Sequence, residues 1–148
     1  MRGYDGGKKI KGRKRHIIVD TMGNVVRAFV TEANIGDRAV AQWLLPWIVK
    51  HFPRVKKIWA DQGYTGDFVE QATTNGIDVE IKPRDPTQRG FHVIPWRWVV
   101  ERTFGWLNLY RRLSKDYEYW VYTADAMIYA TMSRLLVRRL ARLRAEAS

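Results

Sequence analysis

Apolar and polar positions change their period several times along this chain. Residues 16–20 (HIIVD) and 25–31 (VVRAFVT) are short runs rich in β-branched side chains and read as two strands. The Thr21-Met22-Gly23-Asn24 stretch between them is turn chemistry, which predicts a hairpin. The period then lengthens: Val40, Trp43, Leu44, Trp47 and Ile48 fall on one helical face. Asp37 suits the N-cap of that helix, Pro46 should kink or split it, and Pro53 marks its end. Residues 55–60 read as a further strand. Asp67, with Glu70 three positions on, resembles a capping box opening a short helix that ends at Asn75-Gly76. Residues 77–81 (IDVEI) alternate, as a half-buried strand does. Residues 82–94 contain Pro83, Pro86 and Gly90 and read as a loop. Pro95 fits the first turn of a helix, WRWVVERTFGWLNLYRRL. Thr123 suits the cap of a last helix, ADAMIYATMSRLLVRRLARLRA, whose apolar first half predicts burial. This order predicts an α/β fold with a sheet of mixed strand directions.

Composition narrows the picture. The 148 residues are 46% hydrophobic, with 7 Trp and 7 Tyr, so the chain can bury a core. There is no cysteine, which excludes disulfides and thiolate metal sites and fits a cytoplasmic location. No apolar run approaches the roughly 18 residues of a membrane span. The net charge is +11, and it is concentrated at the ends. Residues 1–16 balance to +6 and residues 134–148 to +4, which leaves +1 for everything between. Two basic ends on a near-neutral body point to a polyanion partner, with nucleic acid the usual one. Residues 1–14, glycine-rich and basic, read as an arm ahead of a domain over residues 15–148.

Two carboxylates stand out. Asp61 follows the run Ile58-Trp59-Ala60 and precedes Gly63-Tyr64. Aspartate favours turns because it bonds its own backbone; equally, residues at the carboxyl ends of strands in open sheets line ligand crevices. Glu101 lies on the helix after Pro95. At 100° per residue, Trp96, Val99, Val100, Thr103, Phe104, Trp106, Leu107, Tyr110 and Leu113 share one arc. Arg97, Glu101, Gly105, Asn108 and Arg112 fall opposite. Arg97 and Glu101 could be a surface pair worth about 0.2–0.5 kcal/mol. Alternatively, Glu101 is a metal ligand with arginines placed for phosphates. Asp37 reads as a cap, and His16, His51 and His92 as structural.

The runs YDGGKKIKGRKRHIIVDTMGNVV, ANIGD, WADQGY and RWVVERTFGWLNLYRRLSKDYE, in this order, resemble the catalytic domain of a bacterial insertion-sequence transposase of the DDE type. The resemblance runs from about Gly3 to Leu140. It implies a ribonuclease-H-like mixed sheet flanked by helices. Asp61 matches the second aspartate of the triad, in the D-x-G-Y motif, and Glu101 matches the glutamate. The family signature around the glutamate is Tyr, two residues, Arg, three residues, Glu, six residues, Lys. Arg97 fits its arginine, whereas Ile94 and Asn108 replace its tyrosine and lysine. Neither Asp5 nor Asp20 matches the first aspartate, which the family carries on a central first strand upstream of GRKRH. The resemblance therefore implies two of three carboxylates and a missing central strand, as in the C-terminal or truncated part of a split transposase.

The chemistry implied is DNA strand cleavage by water, followed by attack of the freed 3′-hydroxyl on target DNA. Asp61 and Glu101 would hold Mg2+ or Mn2+, hard ions that prefer carboxylate oxygen. Lys8, Lys9, Lys11, Arg13, Lys14 and Arg15, with Arg97 and Arg112, are candidate phosphate contacts that position rather than read sequence. The partners implied are transposon ends and target DNA, an upstream-encoded transposase part, and further copies of the chain in the active assembly. The rival expectation is a non-catalytic DNA-binding fragment that regulates or assembles with a full transposase. A generic RNA-binding protein is a third reading, disfavoured by the acidic Glu101 in a basic stripe.

Overall fold

The two β-branched runs around Thr21-Met22-Gly23-Asn24 do pair, and the chain has a mixed α/β fold. The computed structural model describes residues 2–82 and 96–147. The loop expected at 82–94, with His92 and Ile94, and the first-turn Pro95 fall almost wholly outside the described residues. The chain divides into two units, one of Met1–Asn34 with Val99–Ser148 and one of Ile35–Trp98.

In the first unit, β1 (Gly3–Asp5), β2 (Ile10–Val19) and β3 (Val25–Glu32) form an antiparallel sheet in that order. β2 and β3 run in register from Arg13 opposite Glu32 to Ile18 opposite Arg27, with an irregularity at Ile18/Val19. Asp20 builds the hairpin turn by accepting the Met22 and Asn24 amides at 2.9 Å and the Asn24 side chain at 2.8 Å. Gly23 has φ 82°, and a Cβ there would stand 2.8 Å from Thr103 Oγ1, so only glycine fits.

The basic stretch is not an arm. β1 pairs with the start of β2, Gly3 opposite Gly12. Asp5 closes the turn between them by accepting the Gly7 and Lys8 amides at 2.9 and 3.0 Å. Those bonds hold its carboxyl below the usual range, the Lys8 amide contributing most. Charge does not oppose strand formation here, because alternate side chains leave the sheet on opposite faces.

One face of this sheet carries the helices. α3 (Arg97–Asn108), a 3-10 turn (Arg111–Leu113) and α4 (Val121–Glu146) follow. Ala28 and Val30 pack with Leu107, Leu113, Ala124, Ile128 and Met132. The Tyr129 hydroxyl donates to the Ala28 carbonyl and accepts its amide, at 3.0 and 2.8 Å. Burial of an aliphatic side chain here contributes about 1.5–3 kcal/mol. α4 buries one stripe, Ala124, Ile128, Thr131 and Met132. The all-round burial expected of its first half is not found; Ala126 and Ala130 are exposed.

In the second unit, α1 (Asp37–His51) packs against α2 (Asp67–Thr74), and β4 (Lys57–Ala60) pairs in parallel with β5 (Asp78–Ile81). α1 continues through Pro46 without splitting; proline forfeits one helical hydrogen bond, and the apolar face spans the loss. That face buries Val40, Ala41, Leu44, Leu45 and Ile48, whereas Trp43, expected inside, is 60% exposed. No capping box forms, since Asp67 is the first helical residue and Gly66 the cap.

Candidate active site and basic surface

Asp61 lies where the alternation of β4 stops. Ala60 ends the strand opposite Ile81, and Asp61 opens a turn in which the Tyr64 amide donates to its carbonyl at 3.1 Å. Its side chain does not hang free: Oδ1 accepts the Gly63 amide at 2.9 Å. The turn bond that aspartate favours is thus formed, and it orients an exposed carboxylate beyond a strand end.

A second carboxylate joins it. A Cβ on Gly63 would stand 2.8 Å from Asp37 Oδ2 and 3.1 Å from Asp61 Oδ1. The missing side chain thus leaves room for both acids against one turn. Asp37 is not the N-cap expected; Gly36 is, with no side-chain capping bond, and Asp37 is the first residue of α1. Tyr64 packs edge-on to Phe68 at 5.7 Å. Burial, then the charges of Asp37 and Asp61, push its phenol well above the ordinary tyrosine value. Sequence reasoning missed Asp37 as a neighbour of Asp61; the only signal was that both acids border turns with glycine close by.

Glu101 is exposed on α3, away from the buried stripe Val99, Thr103 and Leu107. The helix is fixed by that stripe: the Thr103 hydroxyl lies 2.9 Å from both the Gly23 and Val99 carbonyls, and Arg102 donates to the Met22 carbonyl at 3.0 Å. Trp106 is flanked by the Arg102 and Arg139 guanidinium groups, at 4.6 and 4.4 Å. Arg97 opens the helix, but the helix ends at Asn108. Arg112 therefore leaves the stripe shared with Glu101; it lies in the 3-10 turn and bonds Glu118 Oε1 at 3.0 Å.

The basic residues separate into two groups. Arg13 donates to the Glu118 and Tyr119 carbonyls at 3.1 and 2.6 Å and meets Asp116 at 3.4 Å. Arg15 donates to the Leu113 and Lys115 carbonyls. Arg13, Arg15 and Arg112 thus hold residues 113–120 in place. Lys8, Lys9 and Lys11 are exposed around the β1–β2 turn, and Lys14 is half-buried on β2. His16 is structural, as expected, bonded to Thr31 at 2.9 Å and stacked on Phe29.

Asp61, exposed, and Asp37, half-buried, are hard oxygen donors of the kind that Mg2+ or Mn2+ takes. Among the described residues no three such side chains converge as a ready metal-holding group.

A family model described as a transposase DDE domain matches residues 1–136. A curated Burkholderia cepacia protein, named as a candidate transposase for insertion sequence element IS402, is 36% identical over 118 residues. Those residues cover 72% of this chain and 54% of the relative, so the chain spans about half the length of the curated relative it matches. No solved structure gives a match.

Proposed function

The chain belongs to the transposase DDE-domain family, and from that premise we propose that it supplies part of a ribonuclease-H-like catalytic domain for metal-dependent DNA cleavage and strand transfer. Asp61 is the observation that carries this reading. Its carboxylate is exposed at the end of a parallel strand, oriented by the Gly63 amide and accompanied by Asp37. Asp61 serves as the second aspartate and Glu101 as the glutamate. Asp61 and Glu101 would hold the divalent ions, which would supply polarisation of the scissile phosphate and a lowered pKa of the attacking water. The chain's own part is to hold ligand oxygens at the turn and to neutralise DNA phosphates. Asp37 adds negative charge beside Asp61 and strengthens its hold on a cation. Lys8, Lys9 and Lys11, with Lys14 and Arg97, meet phosphates.

The first carboxylate comes from elsewhere. Asp5 is engaged in closing the β1–β2 turn and Asp20 in building the hairpin. β1 pairs with Ile10–Gly12 of β2, and β3 pairs with Arg13–Val19. The matched stretch covers 54% of the curated relative, and in this reading an upstream-encoded segment of the transposase brings the missing aspartate. The engagement of Asp5 and Asp20 in turns favours a second reading for the chain acting alone, a DNA-binding fragment that assembles with or regulates a complete transposase.

The test compares the chain with and without the segment encoded upstream, scoring nicking of supercoiled DNA in Mg2+ or Mn2+. The joined protein should nick. Asp61→Asn or Glu101→Gln should lower its rate about a thousandfold, the equivalent of several kcal/mol of metal stabilisation. Undiminished nicking by either variant sinks the assignment. Binding without nicking by the chain alone supports the second reading for that form.

A further inference from the structure

Four aromatic side chains lie in the open just before and within the first turn of α4. Tyr117, Tyr119, Trp120 and Tyr122 are 53%, 77%, 55% and 65% exposed. Aromatic rings stabilise most when buried, and a contiguous exposed group of them marks a contact surface. Trp120 and Tyr122 lie stacked with centroids 6.0 Å apart and planes within 17°, and Tyr119 meets Trp120 edge-on at 4.8 Å.

This surface is not a loose loop. Arg13, whose side chain is 3% exposed, reaches under it and donates to the Glu118, Tyr119 and Trp120 carbonyls. The frame is also basic. Asp116 is paired with Arg2 and Arg13, and Glu118 with Arg112, while Arg111 and Lys115 are exposed on the same segment. A partner must therefore offer flat apolar faces and negative charge together. Unpaired nucleotides do so, whereas duplex DNA keeps its base faces stacked inside.

We propose that Tyr119, Trp120 and Tyr122 form a stacking platform for unpaired nucleotides of DNA, with Arg111 and Lys115 beside the phosphates. This rests on the reading of the chain as a DNA-acting protein, and it adds a site remote in sequence from Asp61 and Glu101.

The experiment titrates the whole chain with a fluorescein-labelled single-stranded oligonucleotide and with the matching duplex. Trp120→Ala should weaken single-strand binding about tenfold and duplex binding less than twofold, while Trp120→Phe restores most of the loss. A 5-bromouracil-substituted single strand, irradiated with the unaltered chain, should crosslink within residues 117–122, a readout independent of how any variant folds. Crosslinks confined to other segments, or equal losses on both DNAs, overturn the platform while leaving the reading of the chain as DNA-acting intact. Failure to bind either DNA overturns both the platform and that reading.

Discussion

The two basic ends of the chain carry the same signal in sequence and meet opposite fates in the fold. Residues 1–16 balance to +6 and residues 134–148 to +4. The first stretch is woven into the sheet, and two of its arginines point back into the protein. Arg13 and Arg15 satisfy carbonyls of residues 113–120, which include irregular backbone between the helices. The second stretch forms the last turns of α4, where Arg134, Arg138 and Arg142 are exposed, as are Val137, Leu140 and Leu143. Helical carbonyls are already bonded within the helix, so a helix offers its own arginines little backbone to bind. A guanidinium is a rigid fork with five donors, and irregular backbone is its natural internal partner. Basic charge therefore speaks for DNA only after such carbonyls have taken their share. In the first stretch that share falls on the arginines, and the lysines at 8, 9 and 11 stay outside.

Removing one arginine from each end tests this contrast most severely. Arg13→Ala should cost about 2–4 kcal/mol, because its buried guanidinium holds three carbonyls and the Asp116 pair at once. Arg142→Ala should stay within about 0.5 kcal/mol, as an exposed surface change does. Urea unfolding of both variants decides, and equal costs would erase the distinction. Arg139 tests it from within the second stretch, since it is anchored over Trp106 at 4.4 Å and on Asn24 at 2.6 Å. Arg139→Ala should cost about 1–2 kcal/mol in the same unfolding measurement.

A smaller effect is expected in DNA binding. Replacing Lys8, Lys9 and Lys11 with alanine should flatten the dependence of log affinity on log salt by up to about 0.9 for each phosphate no longer neutralised. Arg15→Ala should leave that slope unchanged. A slope that moved with Arg15 and not with the lysines would reverse the assignment.

The smallest effect lies at a basic cluster outside both ends, around Glu80. Lys82, then Lys57, with a bond from Trp59, hold this carboxyl down to about 2. A depressed carboxyl stabilises the fold above its ordinary pKa, near 4.3, and loses that contribution as pH falls through about 2. Glu80→Gln should therefore narrow the gap to the parent chain only between about pH 4 and 2, read as denaturation midpoints across that range. A gap constant down to pH 2 would show that the lysines are not what lowers the carboxyl.

Local features were legible in the residues themselves. The hairpin followed from β-branched runs around turn residues, the position of Asp61 from the end of an apolar strand, and the exposure of Glu101 from its place opposite the apolar arc of α3. Each rests on a period of two or 3.6 residues, which neighbouring side chains impose whatever the rest of the chain does. Packing over long separations settled the remainder. Asp37 was legible as a helix start but not as the companion of Asp61, because 24 positions separate them and only the packing of α1 brings both to Gly63. Trp43 and Leu45 could not be ranked from the wheel, since which flank of an apolar arc is covered depends on what packs there. Nor could a strand at residues 10–14, or the task of Arg13, be read from charge. Its carbonyl partner on Tyr119 is 106 positions away, and a donor is assigned to an internal acceptor or to a phosphate only when folding has chosen which backbone lies within its reach.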